Sequence, residues 1–171
     1  LLAPENVRVT LVESEQIGTV GVGEATIPDM INFNSMLGIN EAEFLKATNG
    51  TFKLGIEFID WGRKGDSYIH PFGAHGVDMQ GIDFHQYWLH SKSGGNPAPL
   101  QDYSLCAVTA AQNKFILPDP NPRSVLSHIR YAYHIDATLY AQYLRRYAED
   151  RGIKRVEGKV ECALKHAETG N

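Results

Sequence analysis

The sequence predicts an α/β fold, and three stretches carry that reading. Val7-Arg8-Val9-Thr10-Leu11-Val12-Glu13, near the start, is rich in β-branched residues and bounded by polar ones, the composition of a strand. Leu139, Tyr140, Tyr143, Leu144 and Tyr147 recur at three- and four-residue steps and so share one apolar helical face. Strand-like sequence returns between Ile153 and Lys165, as one or two short strands interrupted at Glu157-Gly158. Strand, helix and strand in that order is the pattern of an α/β chain.

The first strand ends in a single acidic residue, Glu13. That arrangement matches the second strand of a dinucleotide-binding βαβ unit, where the carboxylate accepts hydrogen bonds from ribose hydroxyls. The first strand and its G-x-G-x-x-G turn would then lie about 20 residues upstream, before residue 1. The chain opens without Met on Leu1-Leu2-Ala3-Pro4-Glu5-Asn6, which reads as the tail of a helix and its turn. It closes on Thr169-Gly170-Asn171, the turn of a hairpin whose second arm is missing. The expectation is a single partial domain over residues 1–171, incomplete at both ends.

Composition narrows the classes. The chain has 171 residues, 43% of them apolar, enough for one core. Its net charge is −4 and Lys and Arg do not cluster, so neither nucleic acid nor an anionic membrane is an expected partner. No apolar run approaches the roughly 18 residues of a membrane span. Cys106 and Cys162 lie far apart with no C-x-x-C and read as unpaired thiols in a reducing cytoplasm. The histidines (His70, His75, His85, His90, His128, His134, His166) show no ligand spacing, and no metal is expected.

Between the ends, two segments carry candidate chemistry. Gly21-Val22-Gly23-Glu24-Ala25-Thr26-Ile27-Pro28 follows the first strand, with Gly18 just before it. The order G-x-x-G-x-G is not the phosphate-binding fingerprint; its glycines suit backbone lying close to a flat ring system, or a loop of structural purpose only. Pro28 and Asp29 then suit the start of a helix through Ile31, Phe33, Met36 and Leu37. Asn49-Gly50-Thr51 reads as a turn. Phe52-Lys53-Leu54-Gly55-Ile56-Glu57-Phe58 alternates as a strand, with Lys53, Gly55 and Glu57 on one face. Lys53 beside a glycine leaves room for a ligand. A lysine on a solvated strand face is the ordinary meaning of this pattern; a partly buried one is a positioned donor or an amine nucleophile. Tyr68-Ile69-His70-Pro71-Phe72-Gly73 places His70 and Phe72 on one side of extended backbone, able to stack on an aromatic substrate or to serve the core. The prolines of Pro118 to Pro122 and the small residues of Ser91 to Pro99 read as surface loops. Asp136 suits the N-cap of the amphipathic helix and Gly152 its end.

These residues resemble the flavin-dependent tryptophan halogenases. The resemblance runs through Val9 to Ser14, Gly21 to Pro28, Leu37-Gly38-Ile39, Phe52 to Phe58 with Trp61, His70-Pro71-Phe72, and Tyr131-Ala132-Tyr133-His134-Ile135-Asp136-Ala137. G-V-G-E-A-T and F-K-x-G-I-x-F at this separation are its specific parts. The resemblance implies an FAD-binding Rossmann-like domain of the flavin monooxygenase type. It implies that reduced FAD, O2 and halide give hypohalous acid, which travels to a separate aromatic-substrate site. There Lys53 would hold it, by hydrogen bonding or as a haloamine, to halogenate an electron-rich ring such as tryptophan or indole. Glu13 would bind the adenosine ribose, and Ser14, Ile17, Val20, Val22, Glu24 and Ala25 would contact FAD. His70 and Phe72 would line the substrate site. A separate flavin reductase, reached by diffusion, would supply reduced FAD.

The resemblance also implies what lies elsewhere. The family's N-terminal glycine motif would precede residue 1. Its W-x-W-x-I-P motif, second catalytic carboxylate and halide loop would follow residue 171, with Glu24, Glu43 and Glu57 no substitutes. The 171 residues alone would be inactive. The alternatives are an FAD-dependent aromatic monooxygenase, which needs neither halide nor Lys53, and a non-catalytic remnant that binds no flavin.

Overall fold

The computed structural model describes residues 7–18, 24–95 and 98–164. Seven strands and five α-helices run in the order β1 (Thr10–Glu13), β2 (Glu24–Ala25), α1 (Asp29–Met36), α2 (Glu41–Ala47), β3 (Thr51–Lys53), β4 (Gly55–Ile59), β5 (Ser67–Pro71), α3 (Phe84–Ser93), α4 (Leu105–Ala111), β6 (Ala132–Ile135), α5 (Ala137–Glu149) and β7 (Lys154–Glu157) among the described residues. The expected α/β class is what is observed. The chain divides into two compact units: Leu1–Glu24, Ala42–Asn49 and Ile135–Asn171 form one, Ala25–Glu41 and Gly50–His134 the other.

In the first unit β1 and β7 pair in parallel, with Glu13 opposite Glu157 at their ends. A parallel pair needs a long connection, and α5 is its last helical part. Asp136 caps that helix as expected, its Oδ1 accepting from Leu139 N at 2.9 Å. The apolar face of α5 closes on Phe44, which meets the rings of Tyr140 and Tyr143 edge-on at 5.7 and 5.9 Å. Gly152, at φ +82°, makes the left-handed turn into β7 and its N–H donates to Glu149 O. The strand expected from Val7 begins only at Thr10, and of the stretch from Ile153 onward only Lys154–Glu157 is strand among the described residues.

In the second unit β6, as far as His134, lies between Ala25 of β2 and β3. It pairs with β3 in antiparallel register, Thr51 opposite His134, Phe52 opposite Tyr133 and Lys53 opposite Ala132. A hairpin of β4 and β5 forms a separate sheet, Gly55 opposite Pro71 through Ile59 opposite Ser67. Its turn is fixed by Asp60, whose Oδ1 accepts from Gly65 N, and by left-handed backbone at both residues. Tyr133, Ile129, Ala132, Cys106 and Ala107 form the buried core.

One expectation is corrected here. The segment from Phe52 to Phe58 is not one strand: it breaks at buried Leu54, and its halves belong to different sheets. The backbone turns there because β3 and β4 find different partners, β6 and β5. Helix α1 starts at Asp29 as expected. Phe33 and Met36 are exposed, and Asn34 is the buried residue.

Candidate functional site

Lys53 ends β3 with its side chain pointing away from solvent; only 7% of it is exposed. Its Nζ donates to the carbonyl oxygen of Thr26 at 3.1 Å and sits 5.2 Å from the centre of the Phe72 ring. No carboxylate pairs with it among the described residues. Burial therefore pushes its pKa down from the ordinary lysine value.

Thr26 is itself held rigidly. Its N–H donates to Tyr133 O at 2.8 Å, its hydroxyl donates to the same oxygen at 3.1 Å, and Tyr133 N–H donates back to that hydroxyl at 2.9 Å. The Tyr133 hydroxyl, with that of Tyr131, donates to Glu41 Oε1 at 2.6 and 2.7 Å. The Ala-Thr-Ile-Pro segment and the lysine segment, 27 residues apart, thus meet through one carbonyl fixed to the central strand. Burial, then the Glu41 contact, drives both phenols well above their usual range.

Lys53 borders a cavity of about 440 Å³ that Phe52, Phe115, Lys114, Asn113 and His134 also line. Phe52 and Phe115 stack in its wall, ring centres 3.8 Å apart. His134 lies on the same face of β6 as Lys53 does of β3, two positions along the register. Burial, then the neighbouring Lys53 charge, lowers the His134 pKa. Gly55 contributes differently from expectation. A Cβ there would meet the His70 carbonyl oxygen at 2.5 Å and Pro71 Cα at 3.0 Å, so the glycine admits β5 backbone rather than a ligand.

His70 and Phe72 lie against different neighbours among the described residues. Phe72, anchored by its N–H to Leu54 O at 2.9 Å, faces the lysine. His70 lines a second cavity of about 480 Å³ with His75, Tyr68, Leu100 and Gln101. Burial, then the neighbouring His70, pushes the His75 pKa down.

Glu13, Ser14 and Ile17 belong to the first unit, at and just after the end of β1. Glu13 Oε1 accepts from Arg155 Nε at 2.6 Å and is 2.6 Å from Arg145 Nε, and the pair with Arg155 above all holds its pKa below the usual carboxylate value. Glu24 and Ala25 form the exposed β2. Val20 and Val22 lie outside the described residues. Among the described residues no three or more of His, Cys, Asp and Glu group as a metal site, and no helix is long and apolar enough to cross a membrane. Thr26, Tyr133, His134, Phe115, Arg145 and Arg155 are the residues that the sequence reading did not single out. The alternation Tyr131, Tyr133, Ile135 was the one signal that a buried strand there would organise the site.

The tryptophan halogenase family model matches residues 1–171. Tryptophan 6-halogenase SttH of Streptomyces toxytricini is 36% identical over 91% of this chain, and tryptophan 7-halogenase RebH of Lentzea aerocolonigenes 33% over 93%. Among solved structures, BrvH, a flavin-dependent halogenase from Brevundimonas sp. BAL3, matches 95% of the chain at 45% identity and a TM-score of 0.86. Xcc4156, a flavin-dependent halogenase from Xanthomonas campestris, matches 98% at 41% identity and a TM-score of 0.89. The chain spans about a third of each, 33% of SttH, 32% of RebH and of BrvH, and 33% of Xcc4156. With a match along its whole length and the fold of the solved flavin-dependent halogenases, the chain belongs to the tryptophan halogenase family.

Proposed function

We propose that a full-length protein carrying this chain is a flavin-dependent halogenase whose Lys53 positions hypohalous acid to halogenate an electron-rich aromatic, with tryptophan and indole as the first substrates to try. The observation that carries the reading is the buried Lys53 ammonium, held on the Thr26 carbonyl with no carboxylate among the described residues to neutralise it. Such a group keeps its remaining N–H donors for an incoming oxidant and polarises it, away from bulk water. Its depressed pKa also raises the fraction of neutral amine, the form able to accept halogen as a haloamine. Fixing Nζ on a rigid carbonyl limits where the oxidant can meet the ring.

The residues present fit FAD at its ribose end. Glu13, ionised and at the carboxyl end of a parallel strand, is an acceptor for ribose hydroxyls. When bound in reduced form, FAD would supply hypohalous acid from O2 and halide. Ser14, Ile17, Val20, Val22, Glu24 and Ala25 are proposed to complete the cofactor contacts, and His70 and Phe72 to contact the aromatic substrate. A diffusing flavin reductase is the proposed source of reduced FAD.

The test is mass spectrometry of products from the full-length protein given reduced FAD, O2, indole or tryptophan, and chloride or bromide in turn. Halogenated product is expected from wild type, and at least a hundredfold less from Lys53→Ala with FAD binding retained, the order of loss for one transition-state donor. Hydroxylated, halide-independent product would instead support a monooxygenase. Halogenation unchanged in Lys53→Ala would remove Lys53 from the mechanism.

A further inference from the structure

At the end of β1 the ion pairs are unevenly shared. Arg155 and Arg145 both approach a single oxygen of Glu13, Oε1, each Nε at 2.6 Å. Each guanidinium also reaches past it: Arg145 Nη1 donates to Glu15 Oε1 at 3.1 Å, and Arg155 Nη2 donates to Glu15 Oε1 at 3.3 Å and to Glu157 Oε2. Glu157 Oε1 in turn accepts from the Glu15 N–H at 2.9 Å, and Gly158 N–H donates to Glu13 O at 2.9 Å. The turn that leaves β1 is thereby fastened to β7 and α5.

The arrangement is more than charge neutralisation. Three carboxylates, Glu13, Glu15 and Glu157, share two guanidinium groups, so one negative charge is left over. A site with surplus acceptor and its cations already engaged suits hydroxyl donors and repels phosphate. The arginines are the less exposed partners, Arg155 at 16% and Arg145 at 27%, and Glu13 the more exposed at 33%.

We propose that Arg155 and Arg145 are positioning residues for ribose recognition: they fix Glu13 through Oε1 so that Oε2 is presented to a vicinal diol. This rests on Glu13 being the ribose acceptor. Neither arginine need touch the cofactor. Without them the glutamate would be one of several exposed rotamers, and its like-charged neighbours Glu15 and Glu157 would push it away from the strand end.

The experiment measures FAD affinity of the full-length protein by flavin fluorescence titration. The variants are Glu13→Gln, Arg155→Leu, Arg155→Lys, Arg145→Leu and the double Glu13→Gln/Arg155→Leu, each checked by thermal melting. Glu13→Gln and Arg155→Leu are each expected to weaken FAD about tenfold, with Arg155→Lys intermediate. In the Glu13→Gln background Arg155→Leu should cost less than about twofold more, because positioning has nothing left to position. A purely structural arginine would give losses that multiply, which overturns the proposal. So would Arg155→Leu with wild-type affinity while Glu13→Gln is impaired. Wild-type affinity in Glu13→Gln would instead remove the ribose reading of Glu13 itself. If Arg155→Leu does not fold, Arg155→Lys and Arg145→Leu carry the same comparison.

Discussion

A buried ammonium with a carbonyl and a ring for company is held at a cost to the fold. Lys53 has a folded pKa below its ordinary 10.5, so the unfolded chain binds its proton more tightly. Folding is therefore penalised while both states are charged, below the folded pKa. The penalty is relieved as pH rises from there toward the ordinary lysine range. Lys53→Met, close in shape and uncharged, should stabilise the second unit at neutral pH by on the order of 1 kcal/mol. The gain over wild type should shrink as pH rises through that window, read by chemical denaturation at several pH values. A gain that persisted unchanged above pH 10.5 would assign the effect to packing instead. The same variant should not halogenate, the trade of stability for activity expected at a functional position. Lys53 was visible in the sequence as the one cation of an apolar run. Its burial was not, because alternation assigns a face without saying whether that face is covered. The Thr26 carbonyl that receives it lies 27 residues earlier, in a segment whose glycines drew the eye instead.

The elements repeat this lesson at longer range. Helix α5 was legible in full, cap and all, because capping and the apolar period are local signals. The division of the lysine segment between β3 and β4 was not, since which partner a strand finds is decided by β5 and β6, the latter some 80 residues on. The clamp on Glu13 is still less local, with Arg145 and Arg155 arriving from α5 and β7. Where β4 meets β5, the chemistry of one atom sets the geometry. Gly55→Ala places a methyl against the His70 carbonyl oxygen and Pro71 Cα, both backbone, so neither can swing away. Overpacking of that kind costs about 1–3 kcal/mol. The expected result is a lower melting temperature and weakened halogenation, because His70 rides on β5 and Phe72 directly follows it while Lys53 stays anchored in β3. Thermal melting and product yield on the same sample check it. A melting temperature equal to wild type would show that the hairpin opens without strain and that Gly55 has another role.

At the scale of the whole molecule, each unit has its own core, built around Phe44 in the first and around Tyr133 and Ile129 in the second. Each also leaves large apolar side chains in solvent: Val160 and Leu164 in the first, and Met36, Trp61 and Val125 in the second, the last three each more than 70% exposed. Scattered exposed apolar residues are ordinary, and the chain spans about a third of the length of the curated relatives it matches. The chemistry points the same way. Within this chain the proposed amine is supplied by Lys53, and the resemblance implies that its partner carboxylate and the halide loop are not among these residues. A polypeptide of these 171 residues should therefore bind a hydrophobic dye such as anilinonaphthalene sulfonate more strongly than the full-length protein does, per unit mass. It should also yield no halogenated indole with reduced FAD, O2 and bromide under conditions where the full-length protein does. Turnover by the 171 residues would mean that Lys53 suffices without the second carboxylate. The division of labour between this chain and the rest of the fold would then have to be redrawn around the cavity that Lys53 and His134 share.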